Sequence, residues 1–149
     1  MSTKDITVRL AQKRDYQFEV QFGAAVPPLL ADEPPPLGQG AGPSPVQLLA
    51  AAVGNCLSDS LHFALRKFNK QQMQPMQCEV TAQVGRNAEG RLRVLAMDVD
   101  LRLGDPADVL EHLERALTQF EAFCTVTQSV GQGITISTQV FDSHGAQLK

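Results

Sequence analysis

Apolar and polar side chains alternate over residues 6–10 and again over residues 16–22, with the polar run Gln12-Lys13-Arg14-Asp15 between them. Period-two alternation on both sides of a polar turn predicts an N-terminal β-hairpin. Residues 31–43 then bring Pro34-Pro35-Pro36 and glycines at 38, 40 and 42. Prolines fix φ and remove backbone donors, so this stretch is expected to be a loop with a polyproline character that leads into a helix. Its glycines are not followed by Gly-Lys-Ser/Thr, which speaks against a phosphate-cradling loop. Ser44-Pro45 is a helix start: serine caps orphan amides and proline is tolerated at the first helical position. From residue 45 to about 68 only Gly54 weakens the helix. Its apolar residues nearly encircle it, as expected of a buried core helix. A narrow polar stripe survives at Asn55, Asp59, His62 and Arg66, facing either solvent or a cleft.

Strand alternation resumes over residues 76–84 and 92–103 around the turn Asn87-Ala88-Glu89-Gly90, a second hairpin. After Gly104-Asp105, Val109, Leu110, Leu113, Ala116, Leu117 and Phe120 make a one-sided helical pattern expected to run over residues 106–123. A short turn or helix over 125–130 and a last strand over 134–141 complete the order ββ-α-ββ-α-β. Hairpins separated by helices predict an α+β fold with an antiparallel sheet packed on a long buried central helix. The 149 residues read as a single domain, residues 1–149.

Composition narrows the function. The net charge is −3, with one Tyr, no Trp and no basic run. That excludes an obvious nucleic-acid or anionic-membrane binder. No apolar run reaches the ~20 residues of a membrane span, and the first residues lack a signal-peptide core. The expected compartment is the cytoplasm. Three cysteines, Cys56, Cys78 and Cys124, are too few and of the wrong parity for a disulfide-built secreted scaffold. The histidines His62, His112 and His144 are scattered and no short Cys/His spacing occurs, so neither metal nor cofactor is expected. Cys78 alternates with Val80 and Ala82 on a strand and reads as a small packing or surface residue. Cys56 lies in the most apolar helix. Cys124 lies in a break between elements, where exposure and strain concentrate. Only tertiary structure could bring the two together.

The stretch Ser44-Pro45-Val46-Gln47-Leu48-Leu49-Ala50-Ala51-Ala52-Val53-Gly54-Asn55-Cys56-Leu57 resembles the central helix of the OsmC/Ohr family (osmotically inducible protein C and organic hydroperoxide resistance protein). Phe123-Cys124-Thr125-Val126-Thr127-Gln128-Ser129-Val130 resembles that family's second cysteine segment, and the element order agrees. The resemblance implies an intertwined homodimer with active sites at the subunit interface. It also implies a thiol peroxidase of the oxidative stress response: Cys56 as the thiolate that reduces an organic hydroperoxide, Cys124 as the residue that resolves its sulfenic acid to a disulfide, and a dithiol reductant to close the cycle.

A free thiol with a pKa of about 8.5 is mostly protonated at neutral pH, and burial raises such values further. The helix dipole fades within the first turn, whereas Cys56 lies about three turns in. A cation must therefore come from elsewhere. Family peroxidases use an N-terminal arginine held by a glutamate ten residues ahead of the cysteine. Here that position is Val46, and Gln47 beside it carries no charge. Arg9 and Arg14 are the arginines in the corresponding region, with Asp32 and Glu33 as alternative acids. Downstream, Thr125-Val126-Thr127 replaces the family's Pro-x-Ser. The second reading is therefore a non-catalytic dimer that binds a small apolar ligand. The apolar surroundings of Cys56 suit a fatty-acyl or aryl group in either case.

Overall fold

The computed structural model describes residues 2–149. It resolves into two compact units, Met1–Leu48 and Leu49–Lys149. In the first, strands β1 (Arg9–Arg14), β2 (Gln17–Gln21) and β3 (Leu29–Ala31) form an antiparallel sheet in the order β1-β2-β3. The hairpin is present, but its first strand lies later than the alternation at residues 6–10 predicts. All six residues of β1 are exposed, so that alternation does not report burial. The turn instead sits at Asp15, which takes a left-handed φ of 47°, and a bulge between Gln12 and Arg14 adjusts the register. Aspartate is one of the few side chains that tolerate this conformation. Strand β3 is too short to show a period and was invisible to pattern reading.

The loop after β3 is not an extended polyproline stretch. It closes around Asp32, whose carboxylate accepts from the amides of Glu33 (2.8 Å), Gln39 (3.2 Å) and Ala41 (3.0 Å) and from Gln17 Nε2 (3.3 Å). Helix α1 (Pro45–Arg66) begins with a reciprocal cap. Ser44 Oγ accepts from the Gln47 amide at 3.3 Å, and Gln47 Oε1 accepts from the Ser44 amide at 2.9 Å.

In the second unit, β4 (Gln77–Arg86) and β5 (Leu92–Arg102) form the expected antiparallel hairpin. The last strand, β6 (Thr135–Phe141), pairs with β5 in parallel, Ala96 opposite Thr135 through Arg102 opposite Phe141. The expectation of one wholly antiparallel sheet is therefore corrected. The segment between β5 and β6 contains helices and returns β6 in the direction of β5, as a crossover connection does. The core is written in two periods. Val53, Leu57, Leu61 and Leu65 of α1 are buried at steps of four, and Met97, Val99 and Leu101 of β5 at steps of two, followed by Leu103.

By length and composition α1 could cross a membrane, yet its buried stripe belongs to this core. It is not buried all round. Ala51 and Ala52 are exposed, Phe63 is 75% exposed, and the polar stripe Asn55, Asp59, His62 and Arg66 is exposed, with Asp59 bordering a cleft.

The helix expected over 106–123 is broken into a 3-10 turn Ala107–Val109, helix α2 (Leu113–Gln119) and a second 3-10 turn Phe120–Phe123. The physical cause is Asn69, fully buried just past α1. Its Oδ1 accepts from the Glu111 amide at 2.8 Å, and its Nδ2 donates to the Glu111 and Leu65 carbonyls at 3.1 and 2.9 Å. Glu111 is thereby withdrawn from helical bonding, and His112 turns to φ 53° before α2 begins. Helix α3 (Thr125–Val130) follows Cys124 as expected.

Candidate functional site

Cys56 is carried on α1 directly before the buried Leu57, half-buried against the core. Cys124 occupies the single extended residue between the 3-10 turn Phe120–Phe123 and α3, with φ −79° and ψ 99°. Its carbonyl accepts from the Gln128 amide at 2.9 Å, which starts α3 and fixes the backbone at the cysteine. The side chain is fully buried. Its thiol donates to the Thr127 hydroxyl at 2.9 Å, and the Cys56 thiol lies beside it. Burial pushes the Cys124 thiol up from its ordinary pKa, and the neighbouring Cys56 adds to that; hydrogen bonds from the Thr127 hydroxyl and amide pull the other way. Both sulfurs are free thiols.

Cys78 lies elsewhere. It is exposed on β4, beside Ser58 and across from Gly54 of α1, two residues on either side of Cys56. Two residues correspond to about 200° of helix rotation, so Cys78 meets a different face from the one that carries Cys56. Loss of hydration against α1 raises its pKa, Asp100 adds to this and Ser58 opposes it. A polar recess of about 450 Å³ surrounds it, lined by Gln77, Glu79, Asp100 and Arg102.

An apolar groove of about 580 Å³ lies along the last turns of α1, beyond Cys56, and neither cysteine is among its lining residues. Ser60 and Phe63 follow Cys56 at steps of four and three on one helical face, and with Ala64, Lys67 just past the helix, Phe68, Ala116 and Phe123 they line the groove. Phe63 and Phe123 are each 75% exposed. The groove was not legible in the sequence, because Phe63 reads there as one more apolar core position. The only available signal was Phe123 standing next to Cys124.

The activating groups expected near the N-terminus have other partners. Arg14 Nε donates to Gln17 Oε1 at 3.4 Å, and Arg9 lines a shallow recess with Gln21. Asp32 spends its carboxylate on the loop amides, led by that of Ala41, which hold its pKa below the ordinary value. Gln47 is spent on the helix cap. Val46 leaves the acid position apolar. The histidines are dispersed: His112 stacks near Phe68 at 4.6 Å, and His62 is exposed. Among the described residues, no three His, Cys, Asp or Glu side chains gather as a metal site would.

A cysteine on a long helix set beside a second cysteine at a helix break, within this α+β architecture, defines the class. Residues 38–139 match the family described as OsmC-like protein, and the chain belongs to that family. The fold is shared with solved structures at low identity. A putative osmotic stress induced and detoxification response protein from Psychrobacter arcticus is 17% identical, with 94% of this chain and 99% of that one covered and a TM-score of 0.76. An OsmC like protein from Mycoplasma pneumoniae is 12% identical, with 96% and 100% covered and a TM-score of 0.76. An organic hydroperoxide resistance protein from Elizabethkingia anophelis is 14% identical, with 93% and 96% covered and a TM-score of 0.71. No curated protein matches the chain in sequence.

Proposed function

We propose that this chain is a cysteine-based peroxidase acting on organic hydroperoxides. The observation that carries the reading is the juxtaposition of Cys56 and Cys124, distant in sequence and neighbours in space. The Cys56 thiolate attacks the distal peroxide oxygen. The O–O bond breaks, the alkoxide takes up the proton that the Cys56 thiol gave up on ionising and departs as ROH, and Cys56 is left as a sulfenic acid. The Cys124 sulfur then attacks the Cys56 sulfur. The S–O bond breaks, water leaves, and a Cys56–Cys124 disulfide forms. A cellular dithiol returns both thiols. The organic group of the substrate lies along the groove of Phe63 and Phe123. A second copy of the chain, which the family resemblance implies, would close that groove in a homodimer. The whole chain acts as one OsmC-like domain, in the cytoplasm, where free thiols persist.

One equivalent of cumene hydroperoxide should lower the intact mass by two hydrogens. Cys56→Ser should abolish the change, and Cys124→Ser should leave a sulfenic acid that dimedone captures. Hydroperoxide consumption by wild type no faster than by Cys56→Ser would sink the reading.

The second reading, a non-catalytic binder of a small apolar ligand, is favoured by one set of observations. Val46 is apolar, Gln47 is engaged in the cap, and Asp32 is engaged in its loop. It predicts that an apolar fluorophore binds the groove with the same affinity in wild type and in Cys56→Ser, and that neither thiol changes on peroxide addition.

A further inference from the structure

Of the hydroxyl side chains on α1, α2 and α3, three behave alike. Ser58, Thr118 and Ser129 each donate to the carbonyl four residues back, at 2.7, 2.8 and 2.8 Å. That is the ordinary fate of a helical hydroxyl. Thr127 departs from it. It is 7% exposed, and its Oγ1 accepts from the Cys124 thiol at 2.9 Å instead. A β-branched side chain in a helix has few χ1 choices, so the direction of this oxygen is set by α3. A hydroxyl can accept from a thiol and, after rotating its proton, donate to a thiolate.

We propose that Thr127 is a positioning residue for the resolving step: its hydroxyl holds the Cys124 sulfur toward Cys56 as a thiol and supports the same sulfur by donation once the proton has left. The proposal rests on the reading of Cys124 as the attacking thiol, and it adds the residue that aims it. In the productive order, the Cys124 proton leaves, Thr127 O–H turns to the sulfur, and the sulfur forms a bond to the Cys56 sulfur as the leaving group departs. The Thr127 hydroxyl and amide both oppose the burial that keeps Cys124 protonated. Removing the hydroxyl therefore slows attack and moves its pH dependence upward.

The test need not depend on peroxide chemistry. With Cys78→Ala as background, glutathione disulfide places glutathione on Cys56. Attack by the Cys124 thiolate on the Cys56 sulfur then breaks the mixed disulfide and releases glutathione thiolate, which takes up a proton. Release is followed by quenched intact mass across pH 6–10 in the background protein, Thr127→Val and Thr127→Ser. Closure in Thr127→Val should be roughly tenfold slower at neutral pH, the order of effect of one hydrogen bond. Its pH midpoint should move upward, and Thr127→Ser should restore both rate and midpoint. Closure in Thr127→Val at the background rate overturns the proposal. So does a Thr127→Ser protein as slow as Thr127→Val, which would assign the effect to the lost methyl packing. Failure of closure in all three also overturns it. A chain inert to cumene hydroperoxide that still closes on glutathione loses the peroxidase reading while Thr127 keeps its role.

Discussion

Asp32 and Asp142 each gather three backbone amides, and both are held below the ordinary carboxylate range, Asp32 mainly by the Ala41 amide and Asp142 mainly by that of Ala146. A carboxylate whose folded pKa is depressed contributes stability that is complete above its unfolded pKa, near 4. That stability is lost as pH falls through the lower folded value. Melting curves of wild type should therefore fall steeply below pH 4. In Asp142→Asn the melting temperature should be lower at pH 7 and less sensitive to acid, because its group no longer titrates. Cys56 and Cys124 could be singled out from the sequence because the two segments around them, taken together and in this element order, resemble the family, although neither segment is specific alone. The hub at Asp32 could not, because nothing in the order of residues shows that the amides of Gln39 and Ala41 fold back onto it. The Thr127 contact was hidden for a different reason. A threonine three residues after a cysteine points at it only if a helix begins between them, and only if the hydroxyl forgoes the carbonyl behind it.

Among the elements, α1 approaches β4 closely because residue 54 has no side chain. A Cβ there would stand 2.7 Å from Val80 Cγ2 and 3.2 Å from Cys78 Sγ. In an exposed helix, Gly→Ala gains about 1 kcal/mol. Here overpacking costs about 1–3 kcal/mol, so Gly54→Ala should be neutral to destabilising when chemical denaturation is compared with wild type. Asn69→Leu should destabilise by roughly 1–3 kcal/mol, since it strips the amide and the carbonyl of Glu111 of their side-chain partner in a part-buried setting. The same asparagine explains why the region 106–123 misled pattern reading. Val109, Leu110, Leu113, Ala116, Leu117 and Phe120 keep helical spacing, and the local signal is sound; a buried polar side chain from 42 residues upstream in the chain overrides it. The hairpin of β4 and β5 was legible because it is local. The parallel partner of β5 was not, since strand direction is decided by the crossover and leaves no mark on alternation.

Across the whole molecule, the proposed disulfide would close a loop of about 70 residues. A cross-link of that span restricts the unfolded chain by about 4 kcal/mol. The oxidised protein should melt several degrees above the reduced one, and calorimetry on the two forms would show it; equal melting temperatures would indicate a strained bond. The reduced chain is also graded in access. Cys78 is exposed, Cys56 half-buried and Cys124 sealed in the core. Bulky electrophiles screened against the folded protein would thus register two adducts per chain and never the third, which only urea would release. Any thiol-directed reagent meant for Cys56 therefore meets a more accessible decoy on the strand, and a fragment library should be counter-screened on Cys78→Ala.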